Sequence, residues 1–276
     1  MKILKVISII LIFFLLTILT QVGGIVYLFS RITHKKINSF STNKLKLFFL
    51  KLVSFFLIYI FSTFLLVPII AKPFGRVPLP FTEQNHLQPL NFLTCFLNRN
   101  YVKIELRKSV FKVANQMNEI YPGTTINYLD ANFPFINKFP LFPHLSHNDG
   151  KKLDLSFCYN DAKTGEETNE CPSFIGYGII EEPTLNEINT ASLCDKNRNW
   201  EYSLLSKIVS QKNKVNFSFN KDKTRSLATL FASENSIGKI FIEPHLKIRL
   251  GLTSNKIKFQ GCKSVRHDDH LHIQLK

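Results

Sequence analysis

The densest chemistry in this sequence is Arg266-His267-Asp268-Asp269-His270-Leu271-His272. Neutral imidazole and carboxylate are the usual ligands of a hydrolytic zinc ion, which takes three protein groups and keeps a fourth position for water. A second cluster lies more than a hundred residues upstream, at Pro143-His144-Leu145-Ser146-His147-Asn148-Asp149-Gly150 and then Asp154. The two look like halves of one metal site, with His147, Asp154 and His272 as candidate ligands. On a strand, His270 and His272 point to the same face, so one can bind metal while the other reaches a substrate. Asp268 shares that face, and Asp269 points away, if the strand begins that early.

These residues need elements to hold them. The alternation of Lys152-Leu153-Asp154-Leu155-Ser156-Phe157 places Asp154 on a strand, reached from His147 across a turn at Gly150. Apolar residues recur at helical spacing over 104–120, and Tyr121-Pro122-Gly123 stops that helix. Residues 124–129 alternate as a strand, and 133–143 read as an extended, Pro-rich loop. The polar, turn-rich stretch 160–199 reads as a long loop or insertion, a lid or substrate wall. Residues 200–210 and 223–232 have helical spacing; 237–242, 257–259 and 271–275 read as strands. The sum predicts an α+β domain around an antiparallel sheet over 103–276. A connector over 77–102, broken by Pro78, Pro80 and Pro89, precedes it.

Residues 1–76 hold ten Lys and Arg and no acid, and so supply +10 of the formal +15. The basic balance belongs to that segment and does not call for nucleic acid, because the charges flank apolar runs. Two runs, about 6–30 and 52–71, are long enough to cross about 30 Å of hydrocarbon. The first is too long for the core of a cleaved signal. Six basic residues lie between the runs (Arg31, Lys35, Lys36, Lys44, Lys46, Lys51), and basic loops stay in the cytoplasm. This predicts a membrane anchor over 1–76, with both termini and the domain on the periplasmic or extracytoplasmic side. Five cysteines form no close pair of metal-binding spacing. An exported domain permits disulfides, and Cys158 with Cys171 would close a small loop.

The two clusters carry a resemblance. Pro143-His144-Leu145-Ser146-His147-Asn148-Asp149-Gly150 with Asp154, and His267-Asp268-Asp269-His270-Leu271-His272, resemble the paired end motifs of the penicillin-insensitive murein endopeptidases. That family belongs to the LAS metallopeptidases, named for lysostaphin, D-Ala-D-Ala peptidases and sonic hedgehog. The likeness covers roughly 124–276, and 239–244 resembles a family strand that ends near the site. It implies a LAS-type fold and Zn2+ held at His147, Asp154 and His272. It makes His270 the catalytic histidine, with His144 and His267 as flanking substrate or supporting groups. Asp269 is an alternative base, since related D-Ala-D-Ala peptidases place an acid three residues before their last zinc histidine. The stretch 160–199 departs from the family pattern, as do the two N-terminal spans.

The expectation that follows is a membrane-anchored zinc endopeptidase cutting D-Ala–diaminopimelate cross-links or stem peptides of peptidoglycan. Lys151, Lys152 and Arg266 would suit an acidic substrate. The competing expectations are a D,D-carboxypeptidase or other LAS peptidase, and a non-catalytic zinc-containing cell-wall-binding module. His34, His86 and His245 are read as surface or satisfied core residues, and Asp149 as a turn carboxylate.

Overall fold

The computed structural model describes residues 2–196 and 202–276. Its N-terminal apolar region folds into α1 (Lys2–Thr20), α2 (Gly23–Ile37) and α3 (Lys44–Phe61). The expected first span over 6–30 is therefore broken. Gln21 adopts a left-handed φ of 64°, and α2 folds back against α1. Gly23 and Gly24 permit the return, since a Cβ on Gly24 would lie 2.1 Å from Thr17 Oγ1 and 2.5 Å from the Phe13 carbonyl oxygen. The hairpin brings Lys5 and Lys51 near His34. The start of the chain thus lies at the basic end of the bundle. The domain lies at the other end, where Gln21 Oε1 accepts from the Phe135 and Ile136 N–H groups. That geometry sets the N-terminal end of α1 and the domain at opposite ends of the bundle.

The second apolar helix begins earlier than expected. Asn43 caps it by accepting from the Leu45 and Lys46 N–H groups, so Lys44, Lys46 and Lys51 ride on α3 rather than in a loop. The helix continues through a π turn at Ser62–Leu66 into α4 (Val67–Ala71). Pro68, which has no N–H to return to the preceding turn, accounts for the change of register. Ile3–Thr20 and Lys44–Phe74 are both long and apolar enough to cross a membrane.

Residues 77–102 belong to the domain and are not a connector. β1 (Arg76–Pro78) and β3 (Tyr101–Lys103) pair antiparallel, while β2 (Leu87–Pro89) and α5 (Phe92–Phe96) lie between them in sequence. Leu79, Leu87 and Val102 are fully buried. Pro78 and Pro89 each end a strand, where the missing N–H leaves no ladder bond unmade.

α6 (Ile104–Ile120) forms as predicted, with Leu106, Val110, Val113, Ala114 and Met117 inward. The strands that follow are β4 (Ile126–Tyr128), β5 (Lys152–Ser156), β6 (Tyr159–Asp161), β7 (Glu167–Thr168), β8 (Phe217–Phe219), β9 (Ile237–Phe241), β10 (Ile257–Lys258) and β11 (His270–Leu275). Helices α7 (Thr190–Lys196), α8 (Leu204–Ile208), α9 (Lys221–Ser233) and α10 (Pro244–Arg249) complete the chain. The predicted helix over 200–210 is shorter, and its first two positions lie outside the described residues.

The main sheet runs β10-β9-β11-β5-β4-β2. Its centre is antiparallel, as expected, but β10 on β9 and β2 on β4 pair parallel, so the sheet is mixed at its margins. Leu153, Leu155, Leu271 and Ile273 face a core shared with α6 and α9. Alternation then turns Asp154, His270 and His272 to the opposite face. Within 160–199, β6 and β7 form a hairpin that joins β8 in a small sheet, and α7 is tied by a Cys194–Cys262 disulfide. Cys158 and Cys171 are free thiols, so the expected Cys158–Cys171 loop is not made.

Candidate metal centre and cleft

Register assembles the centre. In the β11–β5 ladder His272 pairs with Asp154, and His270 with Ser156. His272 Nδ1 lies 2.8 Å from Asp154 Oδ1. His147 comes from the loop before β5, where its N–H is bonded to the His144 carbonyl. That loop is pinned at Gly150, whose N–H donates to Asn132 Oδ1 and whose φ is 80°. A Cβ there would meet Arg76 Nε at 3.1 Å. His147 Nε2 thereby reaches 3.2 Å from His272 Nδ1 and 3.3 Å from Asp154 Oδ1.

These three residues could hold a metal ion: one ligand atom from each lies within 4.8 Å of the other two, and all three residues are buried. Tetrahedral bonds of about 2.0–2.1 Å separate neighbouring donors by about 3.3 Å. Two of the three pairs already stand at that spacing, and the His272–Asp154 pair is drawn closer by its hydrogen bond. His147 Nδ1–H donates to the Ala131 carbonyl at 2.7 Å, which leaves Nε2 as the lone-pair donor. Asp154 Oδ2 accepts from Tyr177 Oη at 2.8 Å, which leaves Oδ1 turned to the histidines. The donor set therefore fits a metal such as zinc in chemistry and in spacing.

Two more imidazoles stand beside the three ligands. His270 Nδ1 is 2.5 Å from Asp269 Oδ1, and Asp269 Oδ2 accepts from the Gly178 N–H at 2.5 Å. His144 Nδ1 is 3.0 Å from Asp130 Oδ2, which also takes Arg99 Nη2 at 2.6 Å. Among the described residues the Nε2 atoms of His144 and His270 are buried without a hydrogen-bond partner. Both side chains line a small cleft walled by Tyr177, Ile180, Tyr202, Leu205, Ser206, Val265, Arg266 and Asp269. His267 packs against His270 and Phe241 at ring distances of 4.9 and 5.9 Å, and Glu243 Oε1 holds its backbone N–H.

The electrostatics follow from burial and three carboxylates. Burial opposes the imidazolium of His270, but Asp154 and then Asp269 outweigh it and raise its pKa to about 9. Burial lowers His272 to about 4 and His267 well below its ordinary value. Burial works against the Asp154 carboxylate, yet His147, His270 and His272 hold its pKa well below the carboxylate range. A dication on the three ligands would take over part of Asp154's charge and lower His270.

Several expectations change here. β11 begins at His270, so Asp268 is off the strand; it bonds Arg266 instead, and burial raises it to about 7. Asp269 does not point away from the site but supports His270. Lys151 and Lys152 donate to the Lys276 carbonyl and Asp149, and Arg266 pairs with Asp268. His245 is a buried core residue bonded to the Glu181 carbonyl, as expected. Tyr177, Asp130 and Arg99 were not among the candidates. The only sequence signal for Tyr177 is its setting between Gly176 and Gly178, each with a φ of 82°. A Cβ on Gly176 would fall 2.2 Å from Leu129 Cδ2.

Set against known proteins, the chain matches no family model and no curated relative.

Proposed function

We propose that this protein is a membrane-anchored zinc metallopeptidase of LAS type, hydrolysing amide bonds in peptidoglycan stem peptides or cross-links. The observation that carries this reading is the cross-strand pair His272–Asp154 completed by His147, with His270 beside it, its Nε2 3.7 Å from Asp154 Oδ1. When bound, zinc supplies Lewis-acid polarisation of the scissile carbonyl and of the attacking water. His270 is the catalytic histidine: its Nε2 holds the water or takes its proton, and Asp269 stabilises the imidazolium on the far side. His144, fixed by Asp130, presents a second Nε2 on the same cleft for the leaving amine. Tyr177 and Asp130 keep their neighbours in one orientation.

The basic ends of α1, α2 and α3 support a cytoplasmic position for that end of the bundle and a periplasmic or extracytoplasmic one for the domain. The Cys194–Cys262 disulfide supports the same side, because such bonds persist in oxidising compartments. The start of the chain is then cytoplasmic.

The test is the full chain in detergent, loaded with zinc, on isolated cell wall and on a purified cross-linked muropeptide dimer. Splitting of the dimer is expected. Release of free D-Ala would instead identify a D,D-carboxypeptidase. No cleavage by protein that retains stoichiometric zinc would leave the non-catalytic binding module as the reading.

A further inference from the structure

Helix α5 lies beside the apolar helix, not beyond its end. Phe96 packs on Tyr59 and Phe56 at ring distances of 5.0 and 6.5 Å. Tyr59 Oη donates to the Phe96 carbonyl at 2.7 Å, and Phe92 stacks on Phe64 at 5.4 Å. At 1.5 Å per residue, Phe64 and Tyr59 lie about 10 and about 18 Å below the end of α4. The uncharged run 52–71 ends there, so α5 is level with the half of that run nearer the domain.

The flank of α5 turned away from the protein is apolar and open. Phe92 and Leu93 are 54% and 49% exposed. Asn91 Nδ2 donates to the Phe174 carbonyl at 3.2 Å, which sets Phe174 and Ile175, 75% and 42% exposed, against the start of α5. Neither 87–98 nor 172–180 contains a charged residue until Arg99 and Glu181 close them. A contiguous, uncharged patch continuous with membrane-spanning helices marks a lipid contact and not a water-facing surface.

We propose that Phe92 and Leu93 of α5 with the adjoining Phe174–Ile175 turn form a lipid-inserting rim that seats the domain in the near leaflet. The proposal rests on the reading of α1 and α3 as membrane spans. Ile175 is two residues from Tyr177, so the rim sets the mouth of the cleft at the bilayer surface. There it meets peptide held near the membrane before peptide free in solution.

The experiment uses the full chain in phosphatidylcholine vesicles whose acyl chains carry bromine, a short-range quencher of tryptophan. The one native tryptophan is removed by Trp200→Phe, and single reporters are placed by Phe92→Trp, Leu93→Trp, Phe174→Trp, Leu15→Trp in α1 and Leu185→Trp on a fully exposed loop. The expected result is that Phe92→Trp or Leu93→Trp loses about half its emission, as Leu15→Trp does, while Phe174→Trp loses less and Leu185→Trp none. Quenching of the α5 and Phe174 reporters no greater than that of Leu185→Trp, with Leu15→Trp strongly quenched, overturns the rim and leaves the spans standing. An unquenched Leu15→Trp overturns the spans and the rim together.

Discussion

Two pairs of buried histidines, neighbours in sequence and in space, differ in what their first ring nitrogen meets. His147 gives Nδ1–H to a backbone carbonyl and turns Nε2 inward to Asp154 and His272. His144 and His270 give theirs to carboxylates, and both side chains line the cleft. A carbonyl fixes a tautomer without favouring the cation, which suits a neutral ligand. At His270 the neighbouring carboxylates favour the imidazolium, which suits a group that carries a proton. The lesson is that the spacing of His144 from His147, and of His270 from His272, does not assign roles: His272 also meets a carboxylate at Nδ1, and the triangle it closes with His147 and Asp154 marks it as a ligand.

That contrast is easiest to break at the ligands. His147→Ala or His272→Ala should abolish stoichiometric zinc, read by metal analysis of purified protein, and cleavage with it. His270→Ala should keep the zinc and lower kcat about 10²–10⁴-fold; loss of metal in this variant would merge the two groups. Tyr177→Phe should weaken zinc about 10–100-fold, read by competition with a chelator, because Asp154 Oδ2 loses its donor. Unchanged affinity would remove Tyr177 from the centre.

The smallest effect is a pH dependence of the metal-free protein. Folding raises His270 to about 9, so its protonated form adds stability below the unfolded value of about 6.5 and loses it as pH rises through about 9. Asp268 is also raised, to about 7, and its stability is lost between its unfolded value and that pH. From pH 7 to 9 the stability carried by His270 is still being lost. The thermal midpoint in detergent should fall across that window, and His270→Ala should flatten the fall.

Much of this was legible in residue spacing. The two-residue period of His270 and His272, the alternation around Asp154 and the helical face of 104–120 reflect local geometry, which a sequence states directly. Tyr177 was not legible, since it reaches Asp154 from a polar stretch on no regular element, held by glycines whose φ says that the chain turns but not where. The α1–α2 hairpin was hidden for a related reason. Hydropathy averages over Gly23-Gly24, whereas the fold depends on how closely those two let backbones approach. The prolines of 77–102 signal breaks, and the breaks fall at strand ends and not between domains.

The central strand of the main sheet is also the last of its strands in chain order. β11 lies between β5 and β9 but follows both. A growing chain folds from its N-terminal side, and until 270–275 arrive, β5 and β9 have no ladder between them. His147 and Asp154 wait for a partner 125 and 118 positions later. Assembly of the centre is therefore coupled to completion of the sheet, and a partly emerged chain carries its reactive groups in separate, harmless halves.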